Sequence, residues 1–129
     1  MSDRPVRVIL DASAIVAYAR GSIDVGETIA EVDDEYAAAG LPVLCLVEAT
    51  RAVTDPDRLT LLVSHPATAV VVPEVTSWQA LAASYDRVGR LDAATAVLAA
   101  VSNGCLILTS QPGLYGGLAE GGPIIPFRP

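Results

Sequence analysis

The chain has 129 residues, of which 52% are hydrophobic, and a formal net charge of −7. This length and composition predict one folded domain over residues 1–129 and exclude a disordered chain. With 15 acidic residues, 8 basic residues and no lysine, the chain lacks the basic excess of a general polyanion-binding protein. The balance still allows a site in which acidic side chains hold cations that in turn hold phosphate.

The remaining composition favours an intracellular protein. Cys45 and Cys105 both lie inside apolar runs, so they are predicted to be small buried residues of a reduced protein rather than a disulfide pair. The first residues, MSDRPVRV, lack the long apolar region of a signal peptide. The apolar runs are interrupted well short of a membrane span. We therefore expect a cytoplasmic protein with no membrane partner.

Short apolar runs alternate with helical segments along the chain. The runs predict strands over residues 6–10, 42–44, 69–72 and 105–109, and PIIPF predicts a last strand at a sheet edge because it carries prolines. The helices are predicted over residues 13–20, 25–39, 45–53, 58–65, 76–88 and 93–103. In the fifth helix, the predicted inner face consists of Trp78, Leu81, Ala82 and Tyr85. This alternation predicts an α/β fold with a parallel sheet covered by helices on both faces.

The stretch VILDASAIVAY, residues 8–18, is the most informative part of the sequence. A buried strand ends at Asp11, and a helix begins within two residues. Ser13 is predicted to cap that helix, because its hydroxyl can accept hydrogen bonds from the free N–H groups of the first turn. The carboxyl end of a first parallel strand is also where sites are built. Asp11 is therefore either a site residue or a second candidate for the cap.

Two further acidic residues occupy similar places. Glu48 is predicted in the first turn of the helix over residues 45–53, and Asp92 stands at the start of the sixth helix. Each acid alone is compatible with a structural role such as capping. The three together predict a carboxylate cluster, which would need cations to offset its repulsion. Mg²⁺ or Mn²⁺ suits oxygen ligands of this kind, and such an ion can activate water for phosphoryl transfer.

Four segments resemble the PIN-domain proteins, including the VapC-type toxins of bacterial toxin–antitoxin pairs. They are VILDASAIVAY with Asp11 and Ser13, PVLCLVEATRAV with Glu48, GRLDAATAVLAAVSNGCLILT with Asp92, and the tail TSQPGLYGGL. The resemblance covers nearly the whole chain, with the segments in the family's order and spacing. It implies a three-layer α/β/α sandwich with a central parallel sheet of four to five strands. It also implies a Mg²⁺- or Mn²⁺-dependent endoribonuclease, often a homodimer, whose site an antitoxin protein blocks in the toxins.

The resemblance assigns roles to particular residues. Asp11, Glu48 and Asp92 would hold the metal and carry catalysis, and Ser13 would support Asp11. The family's fourth acid, two residues after Thr109, is replaced here by Gln111, a neutral ligand that binds a divalent cation less well. Thr109 or Ser110 could assist through a hydroxyl. The candidates for phosphate contacts are the arginines near the matched segments: Arg20, Arg51, Arg87 and Arg90.

Three functions follow from these patterns. The first is an RNA-hydrolysing enzyme of the PIN type, including the toxin of a type II toxin–antitoxin pair. The alternative is a weakened or inactive PIN scaffold that binds RNA or a protein partner, which the loss of the fourth acid at Gln111 favours. A third is a doubly wound domain for a phosphorylated small molecule or for receiver-like signalling. It is disfavoured because the chain has neither a glycine-rich phosphate loop nor a lysine.

Overall fold

The computed structural model describes residues 4–129, so residues 1–3 of the predicted domain lie outside the described range. Five parallel strands form one sheet in the order β3-β2-β1-β4-β5, and six α-helices in the described part of the chain flank it. The strands are β1 Val6–Leu10, β2 Ala38–Pro42, β3 Thr68–Val71, β4 Leu106–Thr109 and β5 Ile124–Pro126. The helices are α1 Ala12–Ala19, α2 Ile23–Asp34, α3 Val43–Ala49, α4 Pro56–Ser64, α5 Trp78–Val88 and α6 Leu91–Asn103.

The predicted fold class is confirmed. The sheet is entirely parallel, and the arrangement is the three-layer α/β/α sandwich expected from alternating strands and helices. The central strand β1 ends in three buried residues, Val8, Ile9 and Leu10, as a strand covered on both faces requires. β5 lies at an edge of the sheet, as its prolines predicted. No helix within residues 4–129 is long and apolar enough to span a membrane.

The second strand lies earlier in the chain than predicted. The helix expected over residues 25–39 ends at Asp34, and Tyr36 then adopts a left-handed backbone conformation with a φ of 55°. The strand expected over residues 42–44 instead spans Ala38–Pro42, all of it buried. Alanine favours helices, but here tertiary packing overrides that preference. At Gly40, an added Cβ would lie only 2.8 Å from Ile9 Cδ1, so any larger residue would require the neighbouring side chains to shift.

This shift moves the following helix. α3 begins at Val43, directly after the strand, and ends at Ala49 rather than at residue 53. Glu48 was predicted in the first turn but lies in the last turn of the helix. Its side chain is therefore further along the helix axis from the sheet edge than predicted, since each helical residue adds about 1.5 Å.

One prediction about a helix cap and one about a helix face are wrong. Asp11, not Ser13, is the N-cap of α1, and Ser22 is the N-cap of α2. The predicted inner face of α5 is largely exposed: the exposed fraction is 65% for Trp78 and 47% for Tyr85. Among the side chains of α5 that the structure describes, the buried side chain is that of Val88, at the end of the helix. Helical spacing identified an apolar stripe but could not show that no element covers it.

Sheet topology identifies the edge where a site is expected. From β1 the chain proceeds outward through β2 and β3, and then returns to place β4 on the other side of β1. In open parallel sheets, ligands bind outside the carboxyl ends of the strands at such a reversal of direction. Asp11 follows β1, and Ser110 and Gln111 follow β4. The two segments thus meet at the reversal.

Candidate active site

Asp11 is the most firmly held polar residue at this edge. Its side chain is buried, with 2% of the residue exposed. Oδ1 accepts hydrogen bonds from Ser13 Oγ at 2.6 Å and from the Ala14 N–H at 3.1 Å. Oδ2 accepts one from the hydroxyl of Tyr115 at 2.7 Å. Asp11 is therefore both the cap of α1 and a preorganised carboxylate with a fixed orientation.

Asp92 is held by a different partner. It lies in the first turn of α6, and 8% of the residue is exposed. Arg90 donates from Nε to Oδ1 at 3.1 Å and from Nη2 to Oδ2 at 3.0 Å. This two-point pairing is the strong geometry of a guanidinium with a carboxylate. Both oxygens of Asp92 are thus engaged by one cationic side chain.

Two buried groups connect Asp11 with Asp92. Burial, followed by the charges of Asp11 and Asp92, raises the pKa of the Cys45 thiol far above its usual range. Burial, together with the charge and the hydrogen bond of Asp11, likewise raises the pKa of Tyr115. Cys45 Sγ donates to the backbone oxygen of Asp92 at 3.3 Å. Both groups therefore stay protonated next to the two carboxylates, and each donates a hydrogen bond to one of the two aspartates.

Glu48 lies closer to the solvent than the two aspartates. Its side chain is 36% exposed, and Oε2 is 3.7 Å from Nη1 of Arg51. The charges of Asp92, Glu48 and Asp11 all act on the Arg90 guanidinium. Within residues 4–129, however, no group of three or more histidine, cysteine, aspartate or glutamate side chains is arranged to hold a metal ion. The two aspartates share Cys45, Tyr115 and Arg90 as charge-coupled neighbours, and Glu48 acts on Arg90 as well.

Hydroxyl groups join the end of β4 to the start of α1. Ser13 Oγ accepts a hydrogen bond from the Ser110 N–H at 3.0 Å and lies 3.3 Å from Thr109 Oγ1. The Gln111 N–H donates to Thr109 Oγ1 at 3.0 Å. Thr109 is fully buried, whereas Gln111 is exposed. The predicted supporting residues are thus gathered around Asp11, with Ser13 as the link.

A cleft of about 720 Å³ opens beside these residues. The cleft is lined by residues that contact the two aspartates, namely Ser13 and Arg90, and also by Glu48, Ser110 and Gln111. Asp11 and Asp92 themselves are not among the lining residues within the described chain. The other polar and charged lining residues are Arg20, Ser22, Asp24 and Arg128.

The four arginines predicted to contact phosphate divide into two pairs. Arg20 and Arg90 line the cleft, where Arg20 donates from Nη2 to the backbone oxygen of Ala52 at 3.2 Å. Arg51 is paired with Glu48 but does not itself line the cleft. Arg87 is exposed in the last turn of α5 and does not line the cleft either. Arginine suits phosphate because its planar fork of donors matches two phosphate oxygens. Of the four arginines, Arg20 and Arg90 are the ones whose position at the cleft would allow a phosphate contact.

The two aspartates are of the chemical type that a hard divalent cation binds. Asp11 and Asp92 supply carboxylate oxygens, and Mg²⁺ in proteins is commonly bound by one or two carboxylates while it keeps several waters. Two engaged lone pairs on Oδ1 of Asp11 leave Oδ2 as the atom with remaining capacity. Asp92 offers its oxygens fully only when Arg90 releases them. When bound there, the ion would activate water and stabilise negative charge on a phosphate.

Sequence reasoning missed three residues of the site. Tyr115 lies 104 positions from Asp11 in the chain, and nothing local in TSQPGLYGGL distinguishes it from a packing residue. Arg128 lies near the carboxyl terminus, outside the four matched segments. Cys45 was predicted to be buried, and it is, but its position next to both aspartates was not. The R-x-D spacing in GRLD, which places Arg90 two residues before Asp92, was available as a local signal for their pairing.

Comparison with known proteins supports the fold. No family model matches the chain, and no curated protein matches it. Among solved structures, the chain is similar to the crystal structure of PAE2754 from Pyrobaculum aerophilum, with a TM-score of 0.63. The two are 19% identical, and the alignment covers 96% of this chain and 91% of that chain. At this level of identity, the likeness shows a shared fold over nearly the whole length of both chains.

Proposed function

We propose that this protein hydrolyses phosphodiester bonds in RNA with one Mg²⁺ or Mn²⁺ ion as cofactor. The observation that carries the proposal is Asp11, a buried carboxylate fixed by three hydrogen bonds where the strand order reverses. A buried charge is costly unless hydrogen bonds or an opposite charge compensate it, and here three donors hold the carboxylate in place at the edge where sites are built. The resemblance of four sequence segments to PIN-domain proteins supports RNA as the substrate class.

The side chains would divide the work as follows. Asp11 and Asp92 would hold the cation, and Ser13 and Tyr115 would keep Asp11 in one orientation. Arg20 and Arg128 would contact phosphate oxygens from the wall of the cleft. Glu48, which also lines the cleft, would accept a proton from the attacking water in the role of a general base.

A second candidate is a scaffold that binds RNA without cutting it. It is favoured by two observations: Arg90 engages both oxygens of Asp92, and the exposed Gln111 stands where the resemblance expects a fourth acid. In that case the arginines of the cleft would still bind phosphate, but the carboxylates would be structural. The two candidates differ in whether binding leads to cleavage.

An RNA assay separates them. Wild-type protein with Mn²⁺ should shorten a labelled single-stranded RNA, and Asp11→Asn should not. Asp34→Asn makes the same chemical change at an exposed position at the end of α2 and should retain full activity. RNA retained by the wild type but never cleaved, with or without Mn²⁺, would refute the enzyme and support the scaffold.

The remaining partners rest on the resemblance alone. We propose a homodimer, a cytoplasmic location and, if the protein is a toxin, an antitoxin that blocks the cleft. Light scattering on the purified protein tests the dimer, which predicts twice the 13.3 kDa mass of the chain. A monomer at micromolar concentration would contradict it.

A further inference from the structure

We propose that Arg90 is a built-in counter-ion that competes with the divalent cation for Asp92 and thereby sets the metal affinity of the site. This inference rests on the proposed function, because it concerns the same site. It assigns Arg90 a role other than the phosphate contact expected from the sequence.

The geometry leaves Asp92 little capacity for another ligand. Arg90 donates to both carboxylate oxygens, at 3.1 Å and 3.0 Å. A cation that binds through those oxygens would meet the positive guanidinium at close range. Metal binding at Asp92 therefore requires Arg90 to move away or the affinity to fall.

Arg90 borders the cleft. Asp92 does not line it, so Arg90 is the member of the pair that faces the space from which an ion would approach. The side chain of Arg90 is 38% exposed, against 10% for Asp92. Arg90 therefore has room to swing into the cleft, while Asp92 stays fixed in the first turn of α6.

The surroundings hold the guanidinium in place. Besides its two hydrogen bonds to Asp92, the Arg90 guanidinium is attracted by the negative charges of Asp92, Glu48 and Asp11. The Arg90 guanidinium thus interacts electrostatically with three carboxylates. A phosphate entering the cleft would offer Arg90 a competing anion, so substrate binding and the release of Asp92 would be coupled.

Calorimetric titration with Mn²⁺ tests this role without an activity measurement. Arg90→Gln should bind Mn²⁺ about ten-fold more tightly than the wild type, which corresponds to about 1.4 kcal/mol. Arg90→Lys keeps the charge but loses the two-point fork, and its affinity should fall between the two. Arg58→Gln removes the same charge from an exposed position on α4 and should leave the affinity within about two-fold of the wild type, as expected for a screened surface charge. Adding Asp92→Asn to Arg90→Gln should abolish the gain.

The outcomes separate this inference from the proposed function. Equal or weaker Mn²⁺ binding by folded Arg90→Gln would overturn the inference, while Asp11-dependent RNA cleavage by the wild type would still support the function. Tighter binding by Arg90→Gln with no cleavage by any variant would support the inference and refute the function. If Arg90→Gln does not fold, the intermediate affinity expected for Arg90→Lys decides, and a wild-type affinity there overturns the inference.

Discussion

Tyr115→Phe removes the hydrogen bond that the Tyr115 hydroxyl donates to Oδ2 of Asp11. The substitution keeps the ring, which is fully buried, and removes only the hydroxyl that lies 2.7 Å from Oδ2 of Asp11. Hydrogen bonds to charged groups contribute about 1.5–3 kcal/mol each. Because Asp11 is itself 2% exposed, water cannot readily replace the lost donor. We expect the free energy of unfolding to fall by about 2 kcal/mol.

Urea denaturation followed by circular dichroism measures this loss. With a typical slope of about 1–3 kcal/mol per molar urea, the midpoint should fall by about 1 M. Tyr85→Phe is the matched control, because it removes the same hydroxyl from a side chain that is 47% exposed, and it should change stability by less than about 0.5 kcal/mol. Equal stability of Tyr115→Phe and the wild type would refute the view that Tyr115 holds Asp11 in place.

Three further predictions follow from single contacts. Gly40→Ala should lower the free energy of unfolding by about 1–3 kcal/mol, because its Cβ would lie 2.8 Å from Ile9 Cδ1. Gly26→Ala in α2, where an added Cβ meets nothing within 4 Å, should raise the free energy of unfolding by up to about 1 kcal/mol. Equal melting temperatures for the two variants would contradict this. Gln111→Asp should tighten Mn²⁺ binding in a calorimetric titration, since it adds a charge at the wall of the cleft; an unchanged affinity would mean that residue 111 does not serve the ion. Burial raises the pKa of both thiols, more strongly for Cys45 than for Cys105. At pH 8 a disulfide reagent should therefore modify Cys105 slowly and Cys45 far more slowly, and it should modify both quickly after denaturation. Rapid labelling of Cys45 in the native protein would refute its burial.

Much of the fold was predictable because its signals are local. The apolar run that ends at Asp11 predicted β1 to the residue, and the prolines of PIIPF predicted an edge strand. The second strand was predicted too late in the chain because AAAGLP carries helix-favouring alanines, and the packing of Gly40 against Ile9 within the sheet is long-range. The exposure of Trp78 was missed for a related reason, since spacing along a helix does not show which neighbours cover it.

Some residues of the candidate site were predictable, but the pairing of its side chains was not. Asp11, Ser13 and Thr109 converge as expected, because the carboxyl ends of adjacent parallel strands meet at one edge. The partners that satisfy the two aspartates were not foreseen: Tyr115 reaches Asp11 from the other end of the chain, and Arg90 engages Asp92 across one residue. Such pairings depend on side-chain orientation, which a pattern of residue types does not fix.

The most direct test of the central claim is a calorimetric titration of Mn²⁺ into the wild-type protein and into Asp11→Asn, with Asp34→Asn as the control. We expect the wild type and the control to bind Mn²⁺ and Asp11→Asn to lose this binding, because its neutral amide is a poorer ligand than a carboxylate. The titration needs no assumption about the RNA sequence. Mn²⁺ binding that is unchanged by Asp11→Asn would contradict the account, because the ion would then be held elsewhere.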